Sequence, residues 1–259
     1  MPDQIAAFPL RNSSVDELSD ALGYSFGEFN AWNGQALLVC KFPLQASLAG
    51  VEVVLRKELS QAVTVMSEQG LIKKDEPYDQ QALITGAVER QFALAVHAAE
   101  TAAIVMLHNA CDRLLWRLVR LGLVLDREKA CDYIAKSKVN VDDLVKQEKD
   151  DLIDREIEKW WEQLERKPMM NKWDALANLV GFPEAFNSPP KWYFDRAMLA
   201  RFDEVRHNAV HHDGRDIAEF NIPTFGQQLT RALMKWAAYI GLRFGLQMRP
   251  EAFFGIQNC

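Results

Sequence analysis

The sequence predicts an all-α protein, a helical bundle with an N-terminal, mostly helical extension. Apolar residues recur at spacings of three and four in most long segments, as amphipathic helices require. No alternation of apolar and polar residues extends over several segments, so a large sheet is not expected. Residues 79–121 run without proline, long enough for one extended helix or two joined helices at the centre of a bundle.

Taken in order, Ser14-Val15-Asp16-Glu17 has the form of a capping box and Gly23 that of a stop, which predicts a short helix over 14–22. Residues 24–43, around Ala36-Leu37-Leu38-Val39-Cys40, read as a short strand or a packed irregular segment. From about 44 to 69, Leu48, Val51, Val54, Leu55, Leu59, Val63 and Met66 trace a helix that ends at Gly70. The charged, proline-ended break Lys73-Lys74-Asp75-Glu76-Pro77 separates an extension, 1–78, from the bundle, 79–248, which a tail, 249–259, follows.

In 79–121 the stripe runs from Leu83 and Val88 through Val105 to Leu118 and Leu121, with Gly122 as its stop. A shorter helix follows near 127–136. The charged segment from about 141 to 166 carries the stripe Leu144, Leu152, Ile153, Ile157, Trp160, Trp161 and Leu164, and most of its charge reads as a solvated face. Pro168 closes it, Asn171 or Asp174 starts a helix reaching Val180, and 181–190 form a loop. The next helix begins near Lys191. After Pro223 a last one, over about 225–246, presents Leu229, Leu233, Trp236, Ile240 and Phe244. No repeat of fixed period occurs.

Composition bounds the function. A chain of 259 residues with 49% hydrophobic content can bury a core. Thirty Lys and Arg against thirty-six Asp and Glu leave a net charge of −6, so nucleic-acid contact must be local rather than spread over the surface. Cys40, Cys111, Cys131 and Cys259 form no Cys-x-x-Cys pair, which argues for reduced thiols rather than a zinc ribbon or a disulfide framework. Met1-Pro2-Asp3-Gln4 lacks a basic region followed by an apolar run, so no secretory signal is expected. The most apolar segment, 93–107, is interrupted by His97 and Glu100 and reads as short of a membrane span. The expectation is a soluble cytoplasmic protein without a membrane partner.

Chemistry concentrates in Arg206-His207-Asn208-Ala209-Val210-His211, extended by His212-Asp213-Gly214. A permanent cation and a group that exchanges a proton near neutral pH suit phosphodiester chemistry. RNA carries its own nucleophile, the 2′-hydroxyl. An imidazole at His211 would take its proton or protonate the departing 5′-oxygen, while Arg206 holds the phosphate and opposes the charge built up in the transition state. The products would be a 2′,3′-cyclic phosphate and a 5′-hydroxyl, and this route requires no metal or cofactor. On an ideal helix, positions five apart point about 140° away from each other. Arg206 and His211 therefore need a helix irregularity or a second copy of the site to converge.

The stretch resembles the motif of the HEPN superfamily, the higher eukaryote and prokaryote nucleotide-binding helical domains, many of which are metal-independent ribonucleases or toxins. That motif is an arginine, a polar residue directly after it, and a histidine four to six residues further on. Arg206, then His207 or Asn208, then His211 fits the four-residue version. The context is similar too: the motif sits late in a helical chain, Asp203 and Glu204 precede it, and 79–121 corresponds to the family's early helix. The resemblance covers 79–248. Residues 1–78 have no counterpart, and 141–166 is longer than a minimal member needs.

The resemblance implies an endoribonuclease with Arg206 and His211 as catalytic residues. His207 and Asn208 would orient the substrate or the catalytic histidine, with Asp203, Glu204 and His212 supporting them. It further implies a homodimer whose two motifs line one cleft, an RNA substrate, and a toxin-antitoxin or antiviral-defence setting in which a regulatory protein restrains the enzyme.

Other readings use the same residues. Asp203, His207 and His211 stand at i, i+4 and i+8, a metal-ligand spacing that His212 or Asp213 would complete. Glu204-Val205-Arg206-His207 matches one element of a di-iron bundle, but no second copy exists and that reading is set aside. In the plainest account the histidines cap a helix and face water, or the domain binds nucleotide, RNA or protein without catalysis. No Gly-x-Ser-x-Gly motif supports a serine hydrolase. His97 and His108 read as hydrogen-bonded core or groove histidines, and Trp116, Trp160, Trp161, Trp173, Trp192 and Trp236 as packing. Lys191, Arg196, Arg201, Arg215, Arg231, Lys235 and Arg243 either line an RNA groove or solvate the bundle and pair with Asp195, Asp203 and Glu204.

Overall fold

A computed structural model of the chain describes residues 11–48, 51–71, 79–138, 147–182, 196–211 and 221–247. The described residues form eight helices and no strand, so the all-α expectation holds. The break at 73–77, the helix start near Lys191, Trp192 and the tail 249–259 lie outside them.

The first helix, α1 (Val15–Leu48), begins with the predicted capping box: Glu17 N donates to Ser14 Oγ at 3.2 Å and Ser14 N to Glu17 Oε2 at 2.7 Å. It does not stop at Gly23, and the segment around 36–40 is helical rather than a strand. A helical glycine costs about 1 kcal/mol, which is small beside the burial of Leu22, Phe26, Phe29, Ala36 and Cys40 along one face. That stripe packs on α3, so tertiary burial overrides the local stop signal. Helix α2 (Val51–Glu68) starts later than expected and ends beside Gly70, whose φ of 68° is the left-handed conformation glycine adopts freely.

Helix α3 (Gln80–Leu125) is continuous and forms the centre of the bundle. It runs three residues past Gly122. That glycine is instead a contact point, where an added Cβ would lie 3.0 Å from Leu179 Cβ. By length and composition alone the stretch Ile84–Leu125 could cross a membrane, with a mean hydropathy of 1.2. Its later part carries Arg117 and Arg120, both buried in the bundle and paired with Glu28 and Glu158 respectively.

Helix α4 (Arg127–Ile134) is capped by Asp126, which accepts from Lys129 N at 3.1 Å. Helix α5 (Lys149–Glu165) presents most of its charge to solvent, as expected, and part of that charge is paired with neighbouring segments. Arg11 pairs with Asp151 and Asp154, Arg127 with Asp154, and Arg120 Nη1 with Glu158 at 2.5 Å. Trp161 stacks on Trp116 at 4.0 Å, and each indole N–H donates to the other residue's backbone carbonyl, at 3.0 and 3.1 Å.

Helix α6 (Met169–Val180) ends at Gly181 as expected, with φ 64°, but begins directly after Pro168. Helices α7 (Arg196–His211) and α8 (Ile222–Phe244) complete the bundle. Asn221 caps α8, accepting from Thr224 N at 3.0 Å, and Pro223 lies in the first turn, where its missing N–H costs nothing. One hydrophobic cluster joins α1, α3, α5, α6, α7 and α8, so Leu18 to Cys40 of the expected extension share the core of the bundle. Trp161, Trp173 and Trp236 are buried packing residues.

Candidate functional site

The motif lies on α7, a helix fixed by its apolar edge. Leu199, Phe202 and Val205 are buried, and Phe202 packs on Phe225 of α8 at 4.7 Å. The helix is regular α through His211, so the irregularity that would bring Arg206 and His211 together is not there. Measured around the helix from Phe202 at about 100° per residue, Arg206 stands near 40°, Asp203 near 100°, His207 near 140° and His211 near 180°. These four residues trace an arc from the core edge to open solvent. Asn208 lies about 120° to the other side, so it does not share that arc. Glu204 is exposed, two turns from His211 along the outer line of the helix. His212 lies outside the described residues.

Burial follows the arc. Arg206 is half-buried, and its Nε is shut off from solvent without a hydrogen-bond partner. His207 and His211 are exposed and adjacent, with ring centroids 4.8 Å apart and planes inclined at 47°.

Asp203 has a partner that the sequence did not reveal. His108 of α3, buried and edge-on to Phe202 at 5.2 Å, contacts Asp203 Oδ1 through Nε2 at 2.7 Å. An ionised carboxylate only accepts, so Nε2 carries the hydrogen, leaving Nδ1 as a buried nitrogen without a partner. This bears out the expectation of a hydrogen-bonded core histidine at position 108. It also fixes one carboxylate oxygen one helical turn below His207.

The same face of α3 carries Asp112 a turn further on, bonded by the fully buried Lys172 of α6 at 2.5 Å. Asp112 Oδ1 is buried and unpartnered. Three orphaned polar atoms, on His108, Asp112 and Arg206, thus belong to the two helices that meet at the motif. The signal was present in sequence as polar residues interrupting the stripe of α3, since buried polar groups need partners. Their partners could not be named without the fold.

For the metal alternative, His212 and Asp213, which would complete the set, lie outside the described residues. Asp203 is engaged by His108, and among the described residues no group of three or more His, Cys, Asp or Glu side chains is gathered as a metal would need. Of the basic residues considered for a groove, Arg243 is committed elsewhere, to the carbonyl of Gly181 at 3.3 Å. It stands about 27 Å along α8 from Phe225, at 1.5 Å per residue. Arg201 and Arg231 are exposed. Lys191 and Arg215 lie outside the described residues, as does the side chain of Arg196. A cleft of about 720 Å³ opens beside Trp116, Trp161, Glu162 and Arg166, on α3 and α5, and includes no residue of the motif.

Comparison of the chain with family models, with curated proteins and with solved structures finds no match. The resemblance to HEPN domains therefore stands on the motif and its helical setting.

Proposed function

We propose that the protein is a metal-independent endoribonuclease, with the α7 motif as its site and RNA transesterification as its chemistry. One observation carries this reading. Arg206 presents a guanidinium whose buried Nε lacks an acceptor, at the edge of a surface bearing two exposed imidazoles. A phosphate would accept charge-assisted hydrogen bonds from the solvent-facing part of this half-buried guanidinium, and an imidazole would move the proton. Because α7 is regular, Arg206 and His211 of one chain diverge. A homodimer that apposes two motifs supplies the convergence, with Arg206 of one copy and His211 of the other on one phosphate. A cytoplasmic toxin or defence effector, restrained by a protein partner, is the setting in which such an activity is tolerated.

The test is incubation of wild type, Arg206→Ala and His211→Ala with total RNA in excess EDTA, followed by analysis of fragment ends. Cleavage to 2′,3′-cyclic phosphate by wild type alone is expected, each substitution lowering the rate about 100-fold or more. No cleavage, or cleavage that both variants retain, would overturn the reading.

The divergence of Arg206 and His211 on one regular helix also favours a second reading, a helical domain that binds nucleotide, RNA or protein without catalysis. Binding without cleavage in the same experiment would establish it.

A further inference from the structure

Transesterification of RNA needs two proton transfers, one from the 2′-hydroxyl and one to the 5′-oxygen. The resemblance assigns one catalytic imidazole to the motif. The structure places a second beside it, since the His207 and His211 rings are 4.8 Å apart on the exposed edge of α7. We infer that His207 and His211 form an acid and base pair within one protomer, so that His207 is a catalytic residue rather than a substrate-orienting one. The inference rests on the ribonuclease reading and deepens it.

A proton-transfer group works within about 3 Å of the oxygen it serves. Two rings with centroids 4.8 Å apart are close enough to serve two oxygens of a single phosphodiester. The neutral imidazole takes the 2′-hydroxyl proton as O2′ forms its bond to phosphorus. The imidazolium gives its proton to O5′ as the P–O5′ bond breaks. The products are the 2′,3′-cyclic phosphate and the 5′-hydroxyl, and the pair holds one proton before and after the step, so no further reactant is required. Arg206 is about 100° from His207 around the helix. A second copy of the chain is then needed only for a guanidinium to meet the phosphate, not for a second imidazole.

Two features of the fold support the pair. His207 and His211 stand one turn apart on a helix that is anchored by Phe202 and Val205 and regular to its end. The Asp203 carboxylate, held by His108 at 2.7 Å, stands one turn below His207 on the same arc.

The experiment compares two RNA oligonucleotides in excess EDTA, one with an ordinary linkage and one with sulfur in place of O5′ at the cleavage site. Sulfur departs without protonation and so bypasses the general acid. Wild type should cleave both. His207→Ala and His211→Ala should each lose about 100-fold or more on the ordinary linkage. On the sulfur linkage one of the two should return to within about tenfold of wild type while the other stays impaired, which identifies acid and base. Both side chains are exposed, so the variants should keep the wild-type thermal midpoint. His207→Asn, which keeps a polar group without a transferable proton, should behave as His207→Ala.

If His207→Ala stays within about threefold of wild type on ordinary RNA, or neither variant is rescued by sulfur, the pair is refuted while the ribonuclease reading survives. If wild type leaves both linkages intact, both proposals fall together.

Discussion

From Ala103 onward α3 is buried on turn after turn, through Ile104, Leu107, Cys111, Leu114, Leu115, Leu118 and Val119. Over the preceding turns, from Glu89 to Ala102, the same unbroken helix is exposed or half-exposed, with Leu94 61% accessible. Both halves carry an apolar pattern, and hydrophobicity alone does not separate them. What separates them is membership of the shared core. The later half shares one hydrophobic cluster with residues of α1, α5, α6, α7 and α8, whereas Glu89 to Ala102 contribute no residue to it and lie on the arm where Arg56 of α2 donates to Thr85, α2 itself exposing Val53, Val54, Val65 and Met66. The difference teaches that stability resides at the bundle end, and that the candidate site, on α7, is docked there through His108.

The largest effect should come from the packed half. Leu115 is fully buried, and Leu115→Ala should destabilise the protein by about 2–5 kcal/mol, read as a lowered denaturant midpoint with unchanged slope. A loss below about 1 kcal/mol would mean that the two halves are less different than their burial implies.

Next comes the ion pair on the same half. Lys172→Ala leaves Asp112 with a buried oxygen and no cation, at a cost of about 1–3 kcal/mol, moderated because the carboxylate keeps some access to water. The double substitution Lys172→Met with Asp112→Leu should recover most of that loss. Recovery distinguishes a stranded charge from a simple loss of volume.

A pH measurement sharpens the contrast further. Burial pushes the Cys111 thiol up from its ordinary 9.0. With a folded pKa above the unfolded one, the protonated thiol's contribution is fully present below pH 9.0. It is lost as pH rises from there toward the folded value, because only the unfolded chain releases the proton. The slope is about 1.4 kcal/mol per pH unit. Comparison of denaturant midpoints for wild type and Cys111→Ala above pH 9 should show the wild type falling more steeply, and parallel curves would count against a sealed core at this point.

How much was legible in advance follows the same division. The capping box at Ser14, the stop at Gly181, the long central helix and the apolar face of α8 are local patterns, and each is where the sequence placed it. Gly23 and Gly122 misled because a glycine permits a helix end without requiring one; burial of Phe26 on one side and the approach of Leu179 on the other kept both helices running. At the site, the grouping of His207 with His211 was readable from spacing, whereas the His108–Asp203 contact spans 95 residues and depends on how α3 and α7 dock. Asn208 is adjacent to the site in sequence and stands on the other side of the helix from the arc.

The smallest effect should come from the arm. Leu94→Ser removes an apolar side chain that already meets water, so its cost in a dilute monomer should stay within about 0.5 kcal/mol. The substitution is informative because an apolar face this exposed on one chain is open to cover by another surface. If the arm's apolar face is covered in solution, by a second copy or by a membrane, Leu94→Ser changes the sedimentation of the protein or its recovery with lipid far more than it changes the unfolding midpoint of the bundle. A midpoint shift as large as that of Leu115→Ala, with no change in assembly, would contradict the division of α3 into a packed half and an arm, because it would require Leu94 to be buried within one chain.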